Sequence, residues 1–174
     1  MAAISDSDLA EVDRFLESKK RLADAIPVWG PSPRPGEMQA VWSIIDDLGV
    51  VRANLRFRLS VTSREQPSVS VIFRGNSVTR LDIVPIKVCE DNPPWAARIG
   101  LPAKVCGSHC HTWRDNRWHI ERSGIWEMPC RRPVESALRR IPQMLPWIAE
   151  AAGVELSPEQ RLFDIPPKTE LFER

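Results

Sequence analysis

The chain has 174 residues, 43% of them hydrophobic, and a formal net charge of +1. That length suits one domain with a real core, and the composition excludes a disordered chain. No apolar run approaches the roughly 20 residues of a membrane-spanning helix, so no membrane partner is expected. Met1 is followed by Ala-Ala-Ile-Ser-Asp rather than a basic and then apolar run, which predicts no secretory signal. Four cysteines without a repeated spacing then read as reduced thiols in a cytoplasmic protein.

Residues 5–26 read as an amphipathic helix. Leu9, Val12, Leu16, Ala23 and Ile26 recur at helical spacing, Ser5 with Asp8 makes a capping start, and Pro27 ends it. Trp29 to Gly36 is a proline-rich connector. Residues 37–48 read as a short helix stopped near Gly49. Val51, Ala53, Leu55, Phe57, Leu59 and Val61 then alternate with Arg52, Asn54, Arg56, Arg58, Ser60 and Thr62. That is a half-buried strand with a basic outer face. A second strand runs through Val69, Val71 and Phe73, and Gly75-Asn76 turns into a third near Val78–Val84. The alternation slips across this turn, which predicts a bulge.

Residues 89–100, with Asn92-Pro93-Pro94-Trp95, form a loop. A fourth strand is expected over Lys104–Trp113, turning at Arg114–Arg117 and returning over Trp118–Arg122, with a short strand at Gly124–Met128. Pro133 starts a helical segment through Val134, Leu138, Ile141, Met144, Leu145 and Ile148. Pro142 and Pro146 should kink or split it, and Gly153 should end it. Ser157-Pro158-Glu159-Gln160 opens another short helix, and Asp164–Arg174 is extended. Together these make a single α+β domain over residues 1–174: an N-terminal helix, an antiparallel sheet of about five or six strands, and C-terminal helices. Residues 1–36 are helix plus connector, 37–156 the core, and 157–174 a short helix and tail.

Charge and histidine are unevenly spread. Residues 1–48 carry nine acids against five bases, and residues 98–140 carry nine bases against four acids. All three histidines, and three of the four cysteines, lie between Cys106 and Cys130. Imidazole transfers protons near neutral pH and is a common metal ligand. On a strand, His109 and His111 share a face with Trp113, while Cys106, Ser108, Cys110 and Thr112 take the other. A two-residue turn would face His119 with Cys110, and a three-residue turn would put all three histidines together.

Three readings follow. A His-x-His pair is a two-ligand metal element that His119 or a distant carboxylate could complete. The pair could instead perform acid–base catalysis on RNA, with arginines holding phosphate. Or the histidines are structural, bonded to backbone carbonyls at a sheet edge. The cysteine and histidine spacing matches no closed four-ligand zinc pattern, so no structural zinc and no cofactor is expected. Cys106 and Cys110 read as small core residues.

Residues 78–153 resemble small bacterial proteins of mobile elements and toxin–antitoxin pairs, of the TumE-type toxin family. The matching stretches are Thr79-Arg80-Leu81-Asp82, the loop with Asn92-Pro93, Gly107-Ser108-His109-Cys110-His111, Gly124-Ile125-Trp126-Glu127-Met128-Pro129, and the helix after Pro133. The resemblance implies a compact α+β protein in conflict or mobile-element biology, and it carries His109 and His111 over as the functional pair. The first 50 residues and the tail beyond Gly153 have no counterpart in that pattern.

The expected function is therefore an RNA-directed, toxin-like protein. His109, His111 and His119 are its catalytic candidates. Arg114, Arg117, Arg122, Trp113 and Trp118 are its candidates for binding nucleic acid or a partner. The other expectation is a non-catalytic binding protein, either an antitoxin or an inhibitor of a host defence complex such as CRISPR–Cas. The partners implied are a cognate antitoxin or other protein, RNA, or a second copy of the chain. The acidic N-terminal helix and the tail should serve such contacts more than the core. Deleting Pro166–Arg174 should leave the melting temperature within a few degrees, because extended termini contribute little. A large drop on thermal melting would show the tail to be packed structure.

Overall fold

The computed structural model describes residues 4–134 and 138–166. Three α-helices, α1 (Asp6–Glu17), α2 (Trp113–Ser123) and α3 (Ile141–Ala152), accompany eleven strands. The strands are β1 (Lys20–Leu22), β2 (Gly30–Pro31), β3 (Glu37–Ile45), β4 (Val51–Ser60), β5 (Ser68–Phe73), β6 (Asn76–Asp82), β7 (Cys89–Asp91), β8 (Lys104–Cys106), β9 (His109–Thr112), β10 (Arg132–Pro133) and β11 (Val154–Glu155). Short 3-10 turns occupy Pro94–Ile99 and Gln160–Leu162. The main sheet runs β10-β9-β6-β5-β4-β3-β1-β11, with β2 added on β3. Its pairs are antiparallel except β1 with β11. No helix among the described residues is long and apolar enough to cross a membrane.

The α+β class stands, but the sheet is larger than the expected five or six strands. The main reason is residues 37–48, which form the long strand β3 instead of a helix. Its buried residues Ala40, Trp42 and Ile44 alternate at period two, and Glu37 to Ile44 pair in unbroken register with Ser60 to Ala53 of β4. The rest of the difference comes from two- and three-residue strands at the sheet edges, too short to show a period.

Helix α1 begins as expected. Ser5 Oγ accepts from Asp8 N–H at 3.2 Å, and Asp8 Oδ2 accepts from Ser5 N–H at 2.9 Å. It buries Leu9, Val12 and Phe15, with Phe15 stacked on Phe73 at 4.6 Å. It stops at Glu17 rather than near Pro27. Lys20, at the start of β1, turns its Nζ back to the carbonyls of Phe15, Leu16 and Ser18, which the helix end leaves without partners. Burial lowers the Lys20 pKa to about 8.

The sheet has two unlike faces. Leu55, Phe57, Val69, Val71, Leu81 and Cys110 join residues of α1 and α3 in one apolar cluster. Trp29, Trp42 and Phe57 close on Phe163 at one end of it. The opposite face is polar. The expected register irregularity falls between Val71 and Ile72 of β5.

The expected hairpin over Lys104–Arg122 is absent. Strand β9 ends at Thr112, and helix α2 starts on the next residue. Thr112 Oγ1 accepts from Asp115 N–H at 3.2 Å, and Gly124 ends the helix in left-handed geometry. The Gly124–Met128 segment is loop, and its Trp126 stacks on Trp113 at 5.6 Å. The segment after Pro133 becomes α3 only at Ile141. Pro142 sits in its first turn, where the missing N–H is harmless, and the helix runs on past Pro146 without splitting. Residues 135–137, and the part of the expected tail from residue 167 onward, lie outside the described residues. Pro166 O accepts a hydrogen bond from Arg64.

Gly153 joins three of these elements. It caps α3 at φ +65°, and a Cβ there would lie 2.8 Å from Leu16 O and 3.2 Å from Lys20 Nζ. Gly124 has a similar φ, +66°, but open space around it. Replacing Gly124 by Ala should therefore cost about 1 kcal/mol, from left-handed strain alone. Gly153→Ala should cost clearly more, because backbone of α1 must also move. Urea denaturation of both variants checks this, and equal destabilisation would show that the close approach carries no weight.

Candidate functional site on the polar sheet face

Alternation places Asp82, Arg80, His109 and His111 opposite the apolar side that holds Leu81 and Cys110. Two rows cross the sheet. In one, Arg58 pairs with Ser68, Ser68 with Asp82, and Asp82 with His109. In the other, Arg56 pairs with Ser70, Ser70 with Arg80, and Arg80 with His111. The antiparallel register thus gathers residues from four strands.

At the β9 end, both histidines are buried. His109 Nδ1 lies 3.0 Å from Gly107 O, and His111 Nδ1 lies 2.7 Å from Met128 O. A carbonyl oxygen only accepts, so each Nδ1 carries a proton, and in the neutral ring Nε2 then carries the lone pair. Both Nε2 atoms face Asp82 Oδ2, at 3.9 Å from His109 and 3.7 Å from His111. Arg80 Nε donates to Asp82 Oδ1 at 2.9 Å. It also lies 2.8 Å from Oδ2, without the alignment of a hydrogen bond, so Oδ2 is buried with no donor. Burial above all lowers the His111 pKa to about 4, so the ring is neutral at pH 7. Among the described residues, Asp82, His109 and His111 are the one group of three ligand-type side chains close enough to share an ion.

The segment that follows Met128 is held by side chains of its own. Asn116, fully buried on α2, accepts from Cys130 N–H at 2.8 Å and donates to Thr112 O at 2.9 Å. Asn92 accepts from Arg131 N–H at 2.7 Å and donates to Arg131 O and Pro102 O at 2.8 Å. Asp115 takes Arg132 through two bonds, at 2.7 and 3.1 Å. These bonds fix the segment after Met128 beside β9.

At the other end, Arg34, Arg56, Arg58 and Arg80 line a cleft of about 400 Å³, together with Ser68, Ser70 and Asp82. The Nε groups of Arg56 and Arg58 are buried and bond to nothing. Burial first, and then neighbouring arginines, lower the pKa of both guanidinium groups. Glu37 also lines the cleft, so four arginines face two carboxylates, and the surplus positive charge suits an anion with several oxygens. The basic outer face of β4 is visible in the sequence, but its meeting with Arg80 and Arg34 is not.

The remaining candidates lie on α2. Trp113 is buried, donating from Nε1 to Asp13 Oδ1 at 2.7 Å, and belongs to the apolar cluster rather than to the histidine face. Arg117 bonds Asp13 at 3.0 Å and Glu121 at 3.1 Å, tying α2 to α1. His119 stacks on Trp95 at 5.4 Å, and Trp95 meets Trp118 at 5.2 Å. Arg122 lies over the Trp118 ring at 5.6 Å. Trp118 and Arg114 are exposed. His119 is therefore in an aromatic group of its own, apart from the other two histidines.

The cysteines also differ from expectation. Cys89 and Cys106 form a disulfide across the β7–β8 pair, so Cys106 is not an apolar core residue. Cys110 and Cys130 are free and buried. Comparison with protein families, curated proteins and solved structures finds no match for the chain. Burial, followed by the charge of Asp115, pushes both free thiols up to about 11. At neutral pH a thiol reagent should label neither in the native protein. The denatured, unreduced chain should show two thiols and the reduced chain four. Four thiols before reduction would rule out the disulfide.

Proposed function

We propose that this chain is an RNA-directed protein of the mobile-element or toxin–antitoxin kind. RNA phosphates occupy the arginine cleft, and the Asp82–His109–His111 cluster beside it is the reactive end. The observation that carries the reading is the buried, unpartnered Nε of Arg56 and of Arg58, set among two further arginines. A polyanion answers them with phosphate oxygens and releases its counterions on binding. An acidic protein segment could neutralise the charge but lacks the regular spacing of phosphates along a strand.

A second reading has its own observation. Trp118 is 46% exposed beside Trp95 and under Arg122, and exposed Trp with Arg is the composition of protein-binding hot spots. That surface suits a cognate antitoxin or other protein partner. It is a different part of the chain from the cleft, so the two readings separate by mutation.

Binding of a single-stranded RNA should fall in Arg56→Ala and Arg58→Ala, measured by fluorescence anisotropy over a salt series. The slope of log affinity against log salt should flatten by about 0.7 for each phosphate that is no longer neutralised. Trp118→Ala should leave RNA affinity unchanged. If expression arrests growth, His109→Gln and His111→Gln should relieve the arrest while RNA binding survives. Wild-type protein that binds RNA no better than the Arg56→Ala/Arg58→Ala double variant would sink the reading.

A further inference from the structure

The orientation of the two histidine rings leaves three acceptors facing one another. Gly107 O and Met128 O hold a ring proton on each Nδ1, so both Nε2 atoms, the acceptors of the neutral rings, point to Asp82 Oδ2. Oδ2 receives no hydrogen bond, and all three side chains are buried. Lone pairs brought together repel, and a positive centre among them turns that repulsion into attraction; Arg80, with Nε 2.8 Å from Oδ2, offsets part of the carboxylate charge.

We propose that Asp82, His109 and His111 bind one divalent first-row transition ion through two imidazole nitrogens and one carboxylate oxygen. Ligand atoms around an ion bound at about 2.0–2.2 Å stand about 3.0–3.5 Å apart. The two nitrogen–oxygen distances, 3.7 and 3.9 Å, are close to this, and the three ligand atoms all lie within 4.8 Å of one another. Nitrogen and oxygen donors without thiolate suit zinc, cobalt, iron(II) or manganese rather than copper(I). Cys110 is excluded as a fourth ligand, because it points to the other side of the sheet.

The surroundings are those of a metal site. Each ligating ring donates its other N–H to a backbone carbonyl, which fixes tautomer and direction. Asp82 offers Oδ2 alone, because Oδ1 is taken by Arg80. Three protein ligands leave coordination positions open for water or an anion, unlike a closed structural zinc. Asp82 also lines the arginine cleft, which supplies the way in. The inference stands apart from the RNA reading, since it concerns the ion alone.

The test uses chelator-treated protein titrated with Co²⁺ and then Zn²⁺, followed by calorimetry and by the visible absorption of cobalt. One equivalent of Co²⁺ should bind with a visible band, and Zn²⁺ should displace it. Asp82→Asn, His109→Gln and His111→Gln should each weaken binding by at least about tenfold with unchanged circular dichroism. His119→Gln should bind as the wild type does. If a variant fails to fold, nitrogen NMR of the wild-type imidazoles decides instead. Zn²⁺ should then shift the Nε2 resonances of two histidines and leave the third in place. Wild-type protein that takes up neither ion, or binding that persists in the folded His109→Gln/His111→Gln double variant, would overturn the proposal.

Discussion

The pairing of β9 with β6, in the register that sets Leu81 against Cys110, is the constraint on which the polar face depends. A slip of one residue would turn both histidines into the apolar cluster and Cys110 out of it. Strand β9 has only four residues, and its one core side chain is a cysteine, so hydrophobic patterning alone holds it weakly. The register is pinned from outside the strand. Thr112 caps α2 at one end, and Asp115 holds Arg132 of β10 on the far edge. Asn116 and Asn92 then hold the residues that lead into β10. Each buried amide has its hydrogen bonds satisfied by backbone, which is the condition under which such groups specify a single arrangement.

The distribution of charge in space differs from its distribution along the chain. Part of the basic block between residues 98 and 140 is neutralised by its own surroundings. Arg117 meets Asp13 and Glu121, Arg131 meets Glu90, Arg132 meets Asp115, and Arg140 meets Asp164. The surplus lies on β4, whose alternation sends Arg56 and Arg58 to a face with few acids. Their Nε groups find no acceptor, and after burial the charge of Arg58 helps to lower the pKa of Arg56. A net charge near zero therefore coexists with a cleft in which four arginines outnumber two carboxylates, Glu37 and Asp82, and it is the local field that a ligand meets.

Much of this is legible in the sequence, and the misses have physical causes. The alternation of β4 is clear because Leu55, Phe57 and Leu59 carry the apolar face and arginine the other. The capping pair Ser5 and Asp8 marks the start of α1. The same signal, Thr112 followed by Asp115 and closed by Gly124, is present in α2 but competes with the turn-forming Asp115-Asn116. Residues 37–48 mislead because Val41 and Ile45 break the polar side of the alternation and because Gly36 and Gly49, which border the segment, punctuate helices and hairpins alike. His109 and His111 do share a face, as strand alternation implies. Asp82 closes the Thr79–Asp82 stretch of β6, but only the antiparallel register brings it opposite His109. Long-range pairing of that kind has no local signature.

Arg80 belongs to both halves of the polar face. It bonds Asp82 on one side and lines the arginine cleft on the other. Left alone, the two halves hold opposite and unfinished demands: buried donors without acceptors on Arg56 and Arg58, and a buried acceptor without a donor at Asp82 Oδ2. Buried groups left unpaired cost roughly 1–3 kcal/mol each, and apolar residues of similar size would avoid the cost. The opposite face already supplies a continuous core. Groups kept at such a cost, side by side and of opposite polarity, are what the proposed anion and cation would answer, meeting at Arg80 and Asp82.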